Sequence, residues 1–103
     1  MKNHAISLLN AIDALKQATG KVSVELMKQP GMSLEYFSPQ MIDTQTPHTQ
    51  DELYIIVRGH GKLNRNGELI ICKAGDALFV PAQMPHHFED FSDDFATWVI
   101  FFN

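Results

Sequence analysis

Residues 47–59, PHTQDELYIIVRG, set a histidine and a glutamate, His48 and Glu52, directly ahead of a strongly apolar run of β type. Side chains alternate between faces along an extended strand, so residues two, four and six apart look the same way. Thr46, His48, Gln50 and Glu52 are therefore expected to form one polar row. Beyond it, Leu53, Ile55 and Val57 point one way and Tyr54 and Ile56 the other. A strand that is apolar on both faces is covered on both sides. A row of potential metal ligands leading into such a strand predicts the lip of a small site inside a β-barrel.

The flanking sequence supports a β architecture. Downstream, Gly59-His60-Gly61 bends the chain, with His60 expected to face solvent. Asn66-Gly67 between Lys62–Arg65 and Glu68–Cys72 is the strongest hairpin signal in the chain. Lys73–Asp76 forms another turn, and Ala77–Val80 a short buried strand ended by Pro81 and Pro85. An extended segment resumes at His86-His87-Phe88, where His87 faces away from His86. The acidic run Glu89–Asp94 reads as a solvated loop. The last strand, Phe95–Phe102, is apolar on both faces and is expected to be central or buried in a homodimer interface.

Upstream, two alternating segments, Val22–Met27 and Met32–Tyr36, flank the turn Gln29-Pro30-Gly31, and Ser38–Thr46 is a polar connection. Ile6, Leu8, Leu9, Ile12 and Leu15 have helical spacing, which predicts a helix with one buried stripe over His4–Ala18, ending near Gly20. The His4 imidazole at its start is expected to be solvated. The organisation expected is an N-terminal helix in residues 1–20, packed on the barrel or on a partner, and a β-barrel in residues 21–103. About seven or eight short strands with regularly spaced turns indicate an all-β sandwich or barrel.

Composition narrows the function classes. The 103 residues carry a formal net charge of −4 and only eight Lys and Arg, scattered along the chain. Nothing there would neutralise a phosphate backbone, so no nucleic-acid partner is expected. No apolar run approaches a membrane span, the helix lacks a basic polar face, and no signal peptide is recognisable, which together predict no membrane partner and a cytoplasmic location. The single cysteine, Cys72, lies in the apolar run LIIC and reads as a buried, inert thiol in a reducing compartment.

Two spacings sharpen the fold. His48 is followed by three residues and Glu52, then by six residues and Gly59; Gly75 is followed by five residues and Pro81, then by four residues and His86. This pair of patterns resembles the two motifs of the cupin superfamily, small RmlC-like jelly-roll barrels, over about Thr46–Asp90. The resemblance implies an all-β double-stranded β-helix and a metal held by His48, Glu52 and His86. The chain departs from the motifs at Thr46, where a first histidine ligand usually stands, at Gln83 in place of a glycine, and at Asp90 in place of an asparagine. Alternation alone adds Gln50 as a possible fourth ligand through its carbonyl oxygen.

Two imidazoles and one carboxylate leave coordination positions open, which suits one divalent transition metal such as iron, zinc, manganese or nickel. An interior built from Tyr54, Ile56, Phe79 and Phe88, with Trp98 a further candidate, would exclude bulk water around it. The bland alternative is that His48 merely bonds Glu52 at a strand edge and His86 is a capped loop residue. The resemblance implies three functional readings. The first is a metal-dependent dioxygenase, isomerase or lyase acting on a small polar molecule, with Tyr54 or Gln50 assisting proton transfer or orienting substrate. The second is a non-catalytic small-molecule binding or sensing module. The third is a metal-free isomerase with His86 as base.

Overall fold

The computed structural model describes residues 5–103, so the expectation for His4 lies outside the described residues. One helix, α1 (Leu8–Gln17), precedes eight strands: β1 (Ser23–Gln29), β2 (Met32–Phe37), β3 (Asp51–Arg58), β4 (His60–Arg65), β5 (Glu68–Lys73), β6 (Ala77–Val80), β7 (His86–Glu89) and β8 (Ala96–Phe102). They form two antiparallel sheets, a five-stranded one in the order β1-β2-β8-β3-β6 and a three-stranded one in the order β5-β4-β7. The architecture is the all-β jelly-roll sandwich with an N-terminal helix.

The turn chemistry acts where the residues suggest. Asn66 (φ 51°) and Gly67 (φ 96°) both take the left-handed conformation, as a two-residue β4–β5 hairpin requires. Gly59 also has a left-handed backbone (φ 70°), and a Cβ there would collide with the side chains of Ser92 and Asp94. The β3–β4 corner can therefore close against the 91–95 loop only through a glycine.

Strand alternation divides the side chains into two sets. Tyr54 and Ile56 of β3, Leu78 and Val80 of β6, Leu63 of β4, Phe88 of β7 and Val99 of β8 meet between the sheets. Phe88 is the hub of this core: its ring centroid lies 4.9 Å from both Tyr54 and Phe95. Each such fully buried large side chain contributes roughly 1.5–3 kcal/mol by leaving water. The opposite set, Tyr36, Trp98, Val24, Leu26 and Val57, forms the outer face of the large sheet. The helix α1 lies on it through Ala11, Leu8, Ile12 and Leu15.

Three packing expectations are corrected here. Phe79 is 44% exposed on the outer face, because its neighbours Leu78 and Val80 take the two inward positions of β6. Trp98 packs outside, edge-on to Tyr36 under α1. Leu9, assigned to the buried stripe of the helix, is 77% exposed, and Ala11 is the helical residue that is fully buried. Ser7 caps α1, its hydroxyl accepting from the Asn10 amide at 3.0 Å.

The final strand is central, flanked by β2 and β3, and this position accounts for its apolar character without a partner. Cys72 is buried, its thiol pushed up in pKa by burial, as an inert core residue is. Among the described residues no helix is long and apolar enough to cross a membrane.

Candidate functional site

The inward alternation of β3 places Glu52 beside Tyr54, and that of β7 places His86 beside Phe88. The third member, His48, comes from the segment before β3. It is held by a backbone bond from the Gln83 amide to the His48 carbonyl at 2.7 Å. Gln83 makes that bond from a left-handed conformation (φ 70°), and Asp90 is left-handed as well (φ 48°). A left-handed conformation at non-glycine residues such as these costs of order 1–3 kcal/mol each.

The ligand atoms of His48, Glu52 and His86 all lie within 4.8 Å of one another. The Nε2 atom of His86 is 3.0 Å from Glu52 Oε2, and that of His48 is 3.6 Å from Glu52 Oε1. Glu52 and His86 are sealed from solvent, whereas the His48 side chain is 32% exposed. His48 therefore forms the open side.

The protons of this cluster are constrained. His86 Nδ1 is 2.9 Å from the Met84 carbonyl, which can only accept, so Nδ1 carries a hydrogen. A neutral His86 then turns the lone pair of Nε2 toward the carboxylate, with the Tyr54 hydroxyl 3.1 Å away as its one neutral donor, and a cation between the two groups favours the arrangement. Either a proton or a metal ion satisfies it, and the donor set fits the latter. Burial opposes charge on His86. The hydrogen bonds to Glu52 and Met84 and the charges of Glu52 and Asp43 outweigh it and raise the imidazole pKa.

Tyr54 sits behind the cluster. Its hydroxyl is 3.1 Å from His86 Nε2, 3.0 Å from Gln45 Oε1 and 3.2 Å from Glu52 Oε1. Burial, and then the negative charges of Glu52 and Asp43, push the phenol pKa well above its ordinary value. It stays protonated and acts as a hydrogen-bond donor.

The polar row expected over Thr46–Glu52 does not form. Strand geometry begins only at Asp51, so two-residue alternation does not reach back along the segment. Thr46 is exposed. Gln50, offered by alternation as a fourth ligand, donates through its amide nitrogen to Asn103 Oδ1 at 2.7 Å and lines a neighbouring recess with His48, Thr49 and Asn103.

Two residues from the supposed polar connection take its place. Gln45 turns its carbonyl oxygen to Tyr54 and to His48 Nε2, the latter at 3.3 Å. Asp43 fixes that orientation by accepting from Gln45 Nε2 at 2.6 Å, and also accepts from the backbone amides of Gln45 and Phe88. The only local sign of this was an aspartate two residues before Gln45, a turn signal rather than a site signal.

The cluster opens into a recess of about 270 Å³ lined by His48, Glu52 and Tyr54 on one side and Glu35, Phe37 and Phe101 among the opposite residues. The volume is near the lower end for small-molecule sites. His86 is not part of the lining.

Comparison with known proteins bears on the fold and the family. An uncharacterized protein of Streptomyces coelicolor is 27% identical over 95 residues, covering 90% of each chain. The arabinose operon regulatory protein of Salmonella typhimurium is 38% identical over 52 residues, 48% of this chain and 18% of that protein. Among solved structures, a cupin 2 conserved barrel domain protein from Leptotrichia buccalis superposes with a TM-score of 0.68 at 28% identity. That likeness covers 82% of this chain and 42% of the other. The family model for the cupin domain matches residues 33–102, about two thirds of the chain and all eight strands except β1, and so the chain belongs to the cupin family.

Proposed function

We propose that the protein is a metal-dependent enzyme that binds one divalent transition metal through His48, Glu52 and His86 and acts on a small polar organic molecule. The observation that carries this is the convergence of three donors, two of which, His48 and Glu52, line a small recess, with the His86 tautomer set by Met84. A metal bound there supplies Lewis-acid polarisation of a ligand oxygen, in a site shielded from bulk water.

The chain's own residues perform the rest. Glu52 supplies negative charge from a fully buried position, while His48 leaves the site open toward the recess. Tyr54 donates a hydrogen bond at the cluster and, with its raised pKa, serves as an orienting donor rather than a base. Gln50, bonded to Asn103, is a rim residue. His86 is poorly placed to serve as base in a metal-free isomerase, because its Nε2 is turned to Glu52 and Tyr54 and its ring does not line the recess.

A second reading, binding without turnover, is favoured by the likeness to a regulatory protein over 48% of the chain. Metal analysis followed by a turnover screen separates the two. Bound metal with consumption of a small polar compound supports the enzyme; bound metal with saturable binding and no consumption supports the binding module.

A further inference from the structure

Three carboxylates, Glu35, Asp43 and Glu52, line the recess, and no lysine or arginine is among its lining residues. Their charges are not equally available. Asp43 is spent on Gln45 and the Phe88 amide, and Glu52 on the His48–His86 cluster. Glu35 is different: its side chain has no hydrogen bond or ion pair among the described residues.

Its position follows from β2. Phe37, two residues on, is in the core between the sheets, so Glu35 shares that inward face, while Tyr36 lies outside under α1. Glu35 paired with Val99 across β8 stands in the wall between the main recess and the adjoining one, both of which it lines together with His48 and Phe101.

Resting on the metal-site reading above, we infer that Glu35 is a specificity-determining residue whose carboxylate receives a protonated amine of the ligand. No lysine or arginine lines the main recess, and Lys28 lines only the adjoining one, so an ammonium group of the ligand gives Glu35 the partner it lacks. Burial, followed by the charges of Glu25 and Glu52, holds the Glu35 carboxyl above its ordinary pKa, as expected for a carboxylate without a compensating cation.

Serinol and glycerol test this, since they share a three-carbon skeleton and differ by an ammonium in place of one hydroxyl. Both are titrated near pH 7 into ¹⁵N-labelled wild type, Glu35→Gln and Glu35→Asp, following the Val99 and Phe101 amide resonances. Metal content is measured on every sample. Wild type is expected to bind serinol more tightly than glycerol. Glu35→Gln lowers that preference about tenfold, the worth of one hydrogen bond to a charged acceptor, and Glu35→Asp retains the preference. Equal or weaker binding of serinol by wild type overturns the inference, as does an unchanged preference in Glu35→Gln. Metal bound without the preference removes the role of Glu35 alone; the preference without metal removes only the metal-site reading.

Discussion

His86 Nε2 lies 3.0 Å from Glu52 Oε2 with both side chains cut off from solvent, while the other nitrogen of the same ring is tied to the Met84 carbonyl. That relationship favours a cation at His86 Nε2, a proton in the metal-free protein and a metal when one binds. Opposite pH responses of the two forms follow.

In the metal-free protein the folded-state pKa of His86 is raised above its unfolded value near 6.5. The stability contributed by its protonated form is fully present below the unfolded value and is lost as pH rises through the folded one. The melting temperature of metal-free protein should therefore fall across this interval, and His86→Gln should flatten the slope. Metal affinity should instead rise with pH, because metal displaces the proton. Thermal melts with and without metal check both signs.

Asp43 joins the irregular segment before β3 to the Phe88 amide of β7. Asp43→Ala leaves that buried N–H without its acceptor and should cost about 3 kcal/mol in denaturant unfolding. Asp43→Asn is more selective. Its oxygen in the Oδ2 place can still accept from both Phe88 and Gln45 Nε2, but its NH2 confronts the backbone amide of Gln45, so the 43–45 turn should loosen with a smaller loss of stability than in Asp43→Ala. The Tyr54 and Gln45 side-chain resonances report that change.

The missing motif ligand has a structural counterpart. Gln45 Oε1 is 3.3 Å from His48 Nε2, whereas Thr46 is exposed. Gln45→His should therefore bring a third imidazole to the cluster and tighten zinc binding by about tenfold or more. Thr46→His, although it restores the motif, should leave the affinity unchanged. Competition against a chromophoric chelator ranks the variants; the reverse order would sink this assignment.

The parts of the fold and site that were legible in the sequence are those governed by local period. Glu52, Tyr54 and Ile56 share an inward face because β3 is regular, and His86 and His87 separate for the same reason, His87 bonding Glu89 instead. Asn66-Gly67 needed only its own turn preference. Gln45 and Asp43 were hidden because residues 39–50 form no strand, so no period relates side-chain direction to position. Strand alternation starts only at Asp51 and so does not relate Gln50 to Glu52. Phe79 and Trp98 failed differently: which face of a two-sided apolar strand is interior depends on its neighbours and on the side α1 covers.

The proposed metal site is tested most directly by the metal content of protein purified without a histidine tag, determined by mass spectrometry after incubation with iron, zinc, manganese or nickel. It predicts about one equivalent per chain, lost in folded Glu52→Gln and His86→Gln and retained in Gln50→Ala. No bound metal under any of these conditions, or undiminished binding in the Glu52 and His86 variants, would contradict it.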